Sequence, residues 1–148
     1  MLSSLALVAT LALQAVPPSP DVAVCVVAPR VEPVEDSDGA GVVPVAAPSL
    51  VVVEPLQEVR IERTGQPLWH RLAPKGSALP VPLPWLAAPI RPGETVLVRL
   101  RPQGAAPDAF AHVLLVGDSA LRMDSTAALM QRLKGSDQAW MAAIEQAL

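Results

Sequence analysis

Ser119 is the residue in this chain best suited to nucleophilic chemistry. It ends the step Gly117-Asp118-Ser119, directly after the apolar run FAHVLLV. A hydroxyl at that point could attack an acyl centre only with a histidine base in reach, an acid to orient that base and donors for the oxyanion. The chain has two histidines, His70 and His112, and neither follows Ser119. A strand advances by about 3.3 Å per residue, so His112, lying earlier in the same run, is out of reach unless the loop folds back. The step reads better as a strand-ending turn in which Asp118 or Ser119 hydrogen-bonds its own backbone. A small serine hydrolase using Ser119 stands as an alternative. Glu54, Glu58 and Glu62 offer carboxylates, but spacing alone assigns no acid and base pair. One cysteine, Cys25, cannot close an internal disulfide. With two separated histidines it falls short of the four paired ligands of a structural zinc site. No metal or cofactor is expected.

Side chains suited to binding are better represented. Trp69-His70-Arg71 and Trp85, set among Pro80, Pro82, Pro84 and Pro89, could form a platform for a glycan or a peptide. In a chain this poor in aromatics, the same tryptophans are well suited to filling the core. His70, alternating with Trp69, then points outward. Arg91, Arg99 and Arg101 could form an anion-binding stripe, although exposed strand faces often carry arginine for solubility and edge protection. The Gly-Asp-Ser step also resembles the nucleophile step of GDSL-type hydrolases. That resemblance implies a base in a C-terminal Asp-x-x-His motif, which is missing here, and a larger sheet than the remaining chain can build.

The elements that must position these residues are constrained by composition. A chain of 148 residues, less a leader and a Pro-rich arm, leaves about 100 residues for one domain. Three Trp, one Phe and no Tyr make the core aliphatic. A net charge of −3, with basic residues scattered among acids as in Glu58-Arg60-Glu62-Arg63, lacks the clustered field of nucleic-acid binders.

Met1 to Ala15 is an apolar run with possible cleavage endings Thr10-Leu11-Ala12 and Leu13-Gln14-Ala15, and it reads as a secretory signal peptide. Pro17, Pro18 and Pro20 end it short of the roughly 20 residues of a membrane span. Cys25 follows the prolines and precedes Val26, an unsuitable setting for a lipoprotein cysteine. Over 16–49, short valine runs alternate with prolines around acidic Glu32, Glu35, Asp36 and Asp38. This predicts a largely disordered linker, with an added edge strand as the alternative. Strands are expected over Leu50–Glu54, Glu58–Arg63, Pro67–Leu72, Thr95–Arg101 and Phe110–Val116, the last of them central. Thr64-Gly65-Gln66 makes a hairpin turn and Arg91-Pro92-Gly93-Glu94 a tight turn. Asp124 or Ser125 caps a helix ending at Gly135, and Ser136 or Asp137 caps a second, whose Trp140, Ile144 and Leu148 form one apolar stripe.

From Leu68 to Leu148 the cadence L-W…P…P-W…P-I-x-P-G-E-x-V-x-V-x-L-R-P…F-A-x-V-x-L-V, followed by two short helices, is similar to uncharacterised exported cyanobacterial-type proteins with an Ig-like β-sandwich. The resemblance implies architecture and export, not activity. The expected arrangement is mainly β. A signal peptide (1–15) and the linker (16–49) precede an antiparallel Ig-like β-sandwich (50–122), and a pair of short helices (123–148) packs on it. The expected function is a non-catalytic binding or structural module of the periplasm or cell envelope. It would engage an unknown protein or glycan partner through Trp69, His70, Arg71 and Trp85. An envelope assembly or regulatory protein acting through the C-terminal helices is the alternative.

Overall fold

The computed structural model describes residues 22–35 and 37–147; the expected signal peptide lies outside them. The chain forms β1 (Val26–Ala28), β2 (Glu32–Val34), β3 (Ser37–Val43), β4 (Val51–Val52), β5 (Leu56–Glu62), β6 (Trp69–Leu72), β7 (Thr95–Pro102) and β8 (Ala111–Gly117). Two helices follow, α1 (Ala120–Leu133) and α2 (Asp137–Ala147). It is therefore mainly β, with two sheets and two C-terminal helices.

Period-two alternation builds the larger sheet. Val59 and Ile61 on β5, Val96, Val98 and Leu100 on β7, and Ala111, Val113 and Leu115 on β8 are all buried. The residues between them take the opposite face. The strand order is β2-β3-β8-β7-β5-β6, which makes β8 an interior strand, as its two apolar faces require. The β5–β6 hairpin turns at Gly65 with φ of +71°, a conformation open to glycine at no steric cost. The turn into β7 uses Gly93 in the same way, with the Glu94 N–H donating to the Arg91 carbonyl at 3.0 Å.

The second layer is small. β1 pairs with β4, and Leu50 and Leu83 exchange backbone hydrogen bonds of 2.8 Å. The Pro-rich segment fills the rest of that layer, burying Leu79, Leu83, Trp85 and Ile90 in one continuous core with the inner face of the large sheet. Prolines cannot donate to a ladder, so this layer is held by side-chain burial more than by strand pairing.

Three expectations are corrected. The sheet is not wholly antiparallel, because β3 runs parallel to β8, from Gly39 beside Val113 to Val43 beside Gly117. The arm over 16–49 is not largely disordered in its described part, since it supplies β1, β2 and β3. The glycines explain why β3 was hard to see. A Cβ on Gly41 would run into the Arg30 carbonyl oxygen and one on Gly39 would meet Val31 at 3.2 Å, so the strand lacks side chains where the preceding segment crosses it.

The helical pair meets the β domain through α1, whose Met123, Asp124, Ala127 and Met130 line one cavity with Pro44, Ala46, Ile90 and Pro92. α1 and α2 contact each other, α1 buries Met123 and Leu133, and α2 buries nothing. Trp140 and Ile144 stay exposed at 38% and 50%. α1 also starts earlier than expected, at Ala120, because Ser119 caps it by accepting the Arg122 N–H at 3.3 Å. Ser136 caps α2 as expected, accepting the Ala139 N–H at 3.1 Å.

Candidate functional site

Among the described residues no element covers the outer face of the six-stranded sheet, and strand register arranges its side chains in rows. One row runs His70–Arg60–Arg99–His112 across β6, β5, β7 and β8. A second places Leu72, Glu58 and Arg101 side by side, and a third aligns Glu62, Leu97 and Leu114. Leu97, Leu114, Val116 and Val42 make the adjoining half of this face apolar, and Val42 is 61% exposed.

The charged half is a network. Glu58, only 4% exposed, accepts from Arg60 Nε at 2.7 Å and from Arg101 Nη2 at 2.7 Å. Burial raises the Glu58 pKa, but the hydrogen bonds and charges of Arg60 and Arg101 outweigh it and hold the carboxyl below its usual range. Arg99 pairs with Glu62 at 3.0 Å. The Phe110 ring supports the Arg60 guanidinium at 4.4 Å and that of Arg101 at 5.9 Å, within cation–π range. Arg60 and Arg99 stand directly opposite each other, an unfavourable like-charge pairing. Three guanidiniums thus share two carboxylates, and Asp38 lies at the far edge, where its carboxylate accepts the His112 N–H at 2.6 Å.

The four expected binding residues do not share a surface. β6 turns His70 to the outer face, beside Arg60, while Trp69 and Arg71 lie on the core side, beside Ile61 and Val59. Trp69 packs against the core and leaves a cavity of about 260 Å³ lined by Ile61, Arg63, Pro67, Leu68, Ala87 and Ala88. Trp85 is core, 9% exposed, with its Nε1–H donated to the Ala88 carbonyl at 2.9 Å. Arg63 stacks over the Trp85 ring at 5.9 Å and donates to the Ala88 and Pro89 carbonyls, clipping the end of β5 to the Pro-rich layer. No glycan platform is formed by the two tryptophans together.

The expected arginine stripe divides likewise. Arg99 and Arg101 are on the outer face, whereas Arg91 sits in the turn before β7 with its N–H donated to Glu94 at 2.8 Å. That hydrogen bond, aided by the charges of Arg63 and Arg91 against a burial cost, lowers the Glu94 pKa. Glu54 also leaves the Glu58–Glu62 set, accepting the Cys25 N–H at 2.8 Å. Sequence reasoning missed Arg60, Phe110 and His112. The available signal was E-x-R-x-E on one strand facing R-x-R on another, which becomes a ladder only in the observed register.

The Gly-Asp-Ser step has structural work at each position. A Cβ on Gly117 would run into the Arg91 carbonyl oxygen, Asp118 accepts the Ser119 N–H at 2.7 Å, and Ser119 caps α1. In comparisons with known proteins, the chain matches no family model, no curated protein and no solved structure.

Proposed function

We propose that this chain is a non-catalytic exported binding module of the periplasm or cell envelope, a reduced Ig-like β-sandwich that engages a protein partner on its outer sheet face. The observation that carries this reading is the uncovered surface itself. A guanidinium row held in place by Glu58 and Glu62 adjoins exposed apolar residues, including Val42. Fixed arginines beside an apolar strip are suited to partner recognition, because the charges are positioned before binding and the strip supplies area to desolvate. Export is inferred from the apolar run at 1–15.

Two measurements test the proposal. Intact mass of the natively expressed protein from extracytoplasmic and membrane fractions should place the mature N-terminus after Ala12 or Ala15; an intact Met1 would withdraw export. A photo-reactive residue at Val42 or Leu114 should give a discrete protein adduct in cells that one at Lys75 does not. Equal labelling from all three positions would remove the outer face as a site.

A second reading has its own support. α2 exposes Trp140, Met141 and Ile144, an apolar stripe fitting an assembly protein that acts through its helices. Adducts formed from Met141 and not from Val42 would favour it. A hydrolase reading gains nothing from Ser119, whose hydroxyl oxygen already serves the backbone of α1; esterase activity abolished by Ser119→Ala would reinstate it.

A further inference from the structure

The large sheet ends at β6, and the outward edge of that strand carries unpaired backbone groups. The Ala73 N–H donates to the Gln57 carbonyl at 2.8 Å, which fixes the antiparallel alternation. Arg71 and Trp69 direct their backbone groups at β5, and His70 and Leu72 direct theirs outward. Among the described residues, no other backbone group bonds to His70 or Leu72 on that side. The opposite edge is protected: β2 is three residues long and carries Pro33 at its centre.

The side chains flanking the open edge define what would fit it. Reading along β6, Trp69 and Leu72 are apolar ends and His70 and Arg71 form a basic middle, with the Arg60 row behind His70. Leu68 and Leu72 are exposed at 52% and 54%, and the cavity beside Trp69 opens next to the same edge. A second copy of β6 is a poor occupant. Antiparallel self-pairing keeps each side chain on its own face, so centring it on His70 or on Arg71 sets that basic residue against its own copy, which is unfavourable.

We infer that β6 accepts an extended segment of a partner protein by strand addition, and that this segment has the pattern apolar-acidic-acidic-apolar. The two acidic residues lie opposite His70 and Arg71, one on each face of the sheet, and the apolar residues lie opposite Trp69 and Leu72. The pattern is symmetric, so either strand direction satisfies it. Main-chain hydrogen bonds from His70 and Leu72 supply affinity and the alternating side chains supply selectivity. Pro67 and Pro74 bound the usable edge. This inference rests on the binding-module reading and specifies the partner's chemistry.

The test is amide hydrogen exchange on the full chain with two extended peptides, one centred on Val-Glu-Glu-Val and one on Val-Lys-Lys-Val. The acidic peptide should bind and slow exchange at the His70 and Leu72 amides, leaving the already bonded Trp69 and Arg71 amides unchanged. The basic peptide should bind neither edge nor face. His70→Glu, at an exposed position, should weaken the acidic peptide about five- to tenfold without altering the unliganded exchange pattern. Binding that perturbs Arg60, Arg99 and Leu114 without protecting His70 and Leu72 would overturn strand addition while leaving the outer face as a docking surface. No binding of the acidic peptide, or equal binding of both, would overturn the inference by itself, since adducts from Val42 in cells report on the broader reading separately.

Discussion

Glu58 controls the charged half of the outer face, because two arginines converge on its buried carboxylate. Its folded pKa lies below the unfolded value, so its contribution is fully present above the ordinary glutamate value of about 4.3 and is lost as pH falls through the folded value. Glu58→Gln should cost about 1–3 kcal/mol at neutral pH. In urea unfolding measured against pH, the gap between natural chain and variant should close on acidification; parallel curves would contradict the assignment. Gly117→Ala should cost about 1–3 kcal/mol by forcing β8 away from the Arg91 backbone. Ser119→Ala should cost about 1 kcal/mol through loss of a helix cap. Thermal melts of the two variants would check both values. Gly117 and Ser119 belong to the motif that resembled a hydrolase, and their contacts explain its presence without chemistry. A three-residue motif constrains local backbone as strongly as it constrains catalysis, so sequence alone could not separate the two.

At the scale of elements, strands with strict alternation were legible and strands without it were not. Val59 and Ile61, Val96 to Leu100, and Ala111 to Leu115 carry the pattern in plain view. β3 does not, since Gly39 and Gly41 replace core side chains where another segment crosses, and its partner β8 lies more than 70 residues away, as in the Asp38–His112 contact. The Pro-rich layer carries no such alternation, and the depth of Trp85 within it depends on Arg63, at the end of β5. Trp85→Ala should cost about 3–5 kcal/mol, measured by urea unfolding. A loss below 1 kcal/mol would mean that the ring is not a core anchor. The helices behave oppositely. Because α2 buries no side chain, removing residues 136–148 should leave the sheet folded, with the unfolding transition of the strands still cooperative. Loss of that transition would show that the Trp140 stripe is covered after all.

For the whole molecule, composition and periodicity were enough to set a mainly β domain followed by two helices. They could not set which face of the sheet remains open. That property follows from a second layer built by β1, β4 and the Pro-rich segment on one side, with α1 set against Pro44, Ala46, Ile90 and Pro92. Of the four expected binding residues, His70 alone lies on the open face, while Trp69 and Arg71 take the core side and Trp85 the core itself. Arg60 and Arg99 are the best probes of this surface. Each side chain is one-third exposed, whereas Arg101 is 12% exposed, and Glu58 keeps Arg101 when Arg60 is removed. The most direct measurement is in-cell photo-crosslinking from Val42, compared between the natural chain and the Arg60→Gln/Arg99→Gln variant at matched folded levels. The account predicts a discrete adduct from the natural chain that falls at least tenfold in the variant, about 1.4 kcal/mol of lost docking energy. An adduct of undiminished yield in the variant would contradict docking through the arginine row.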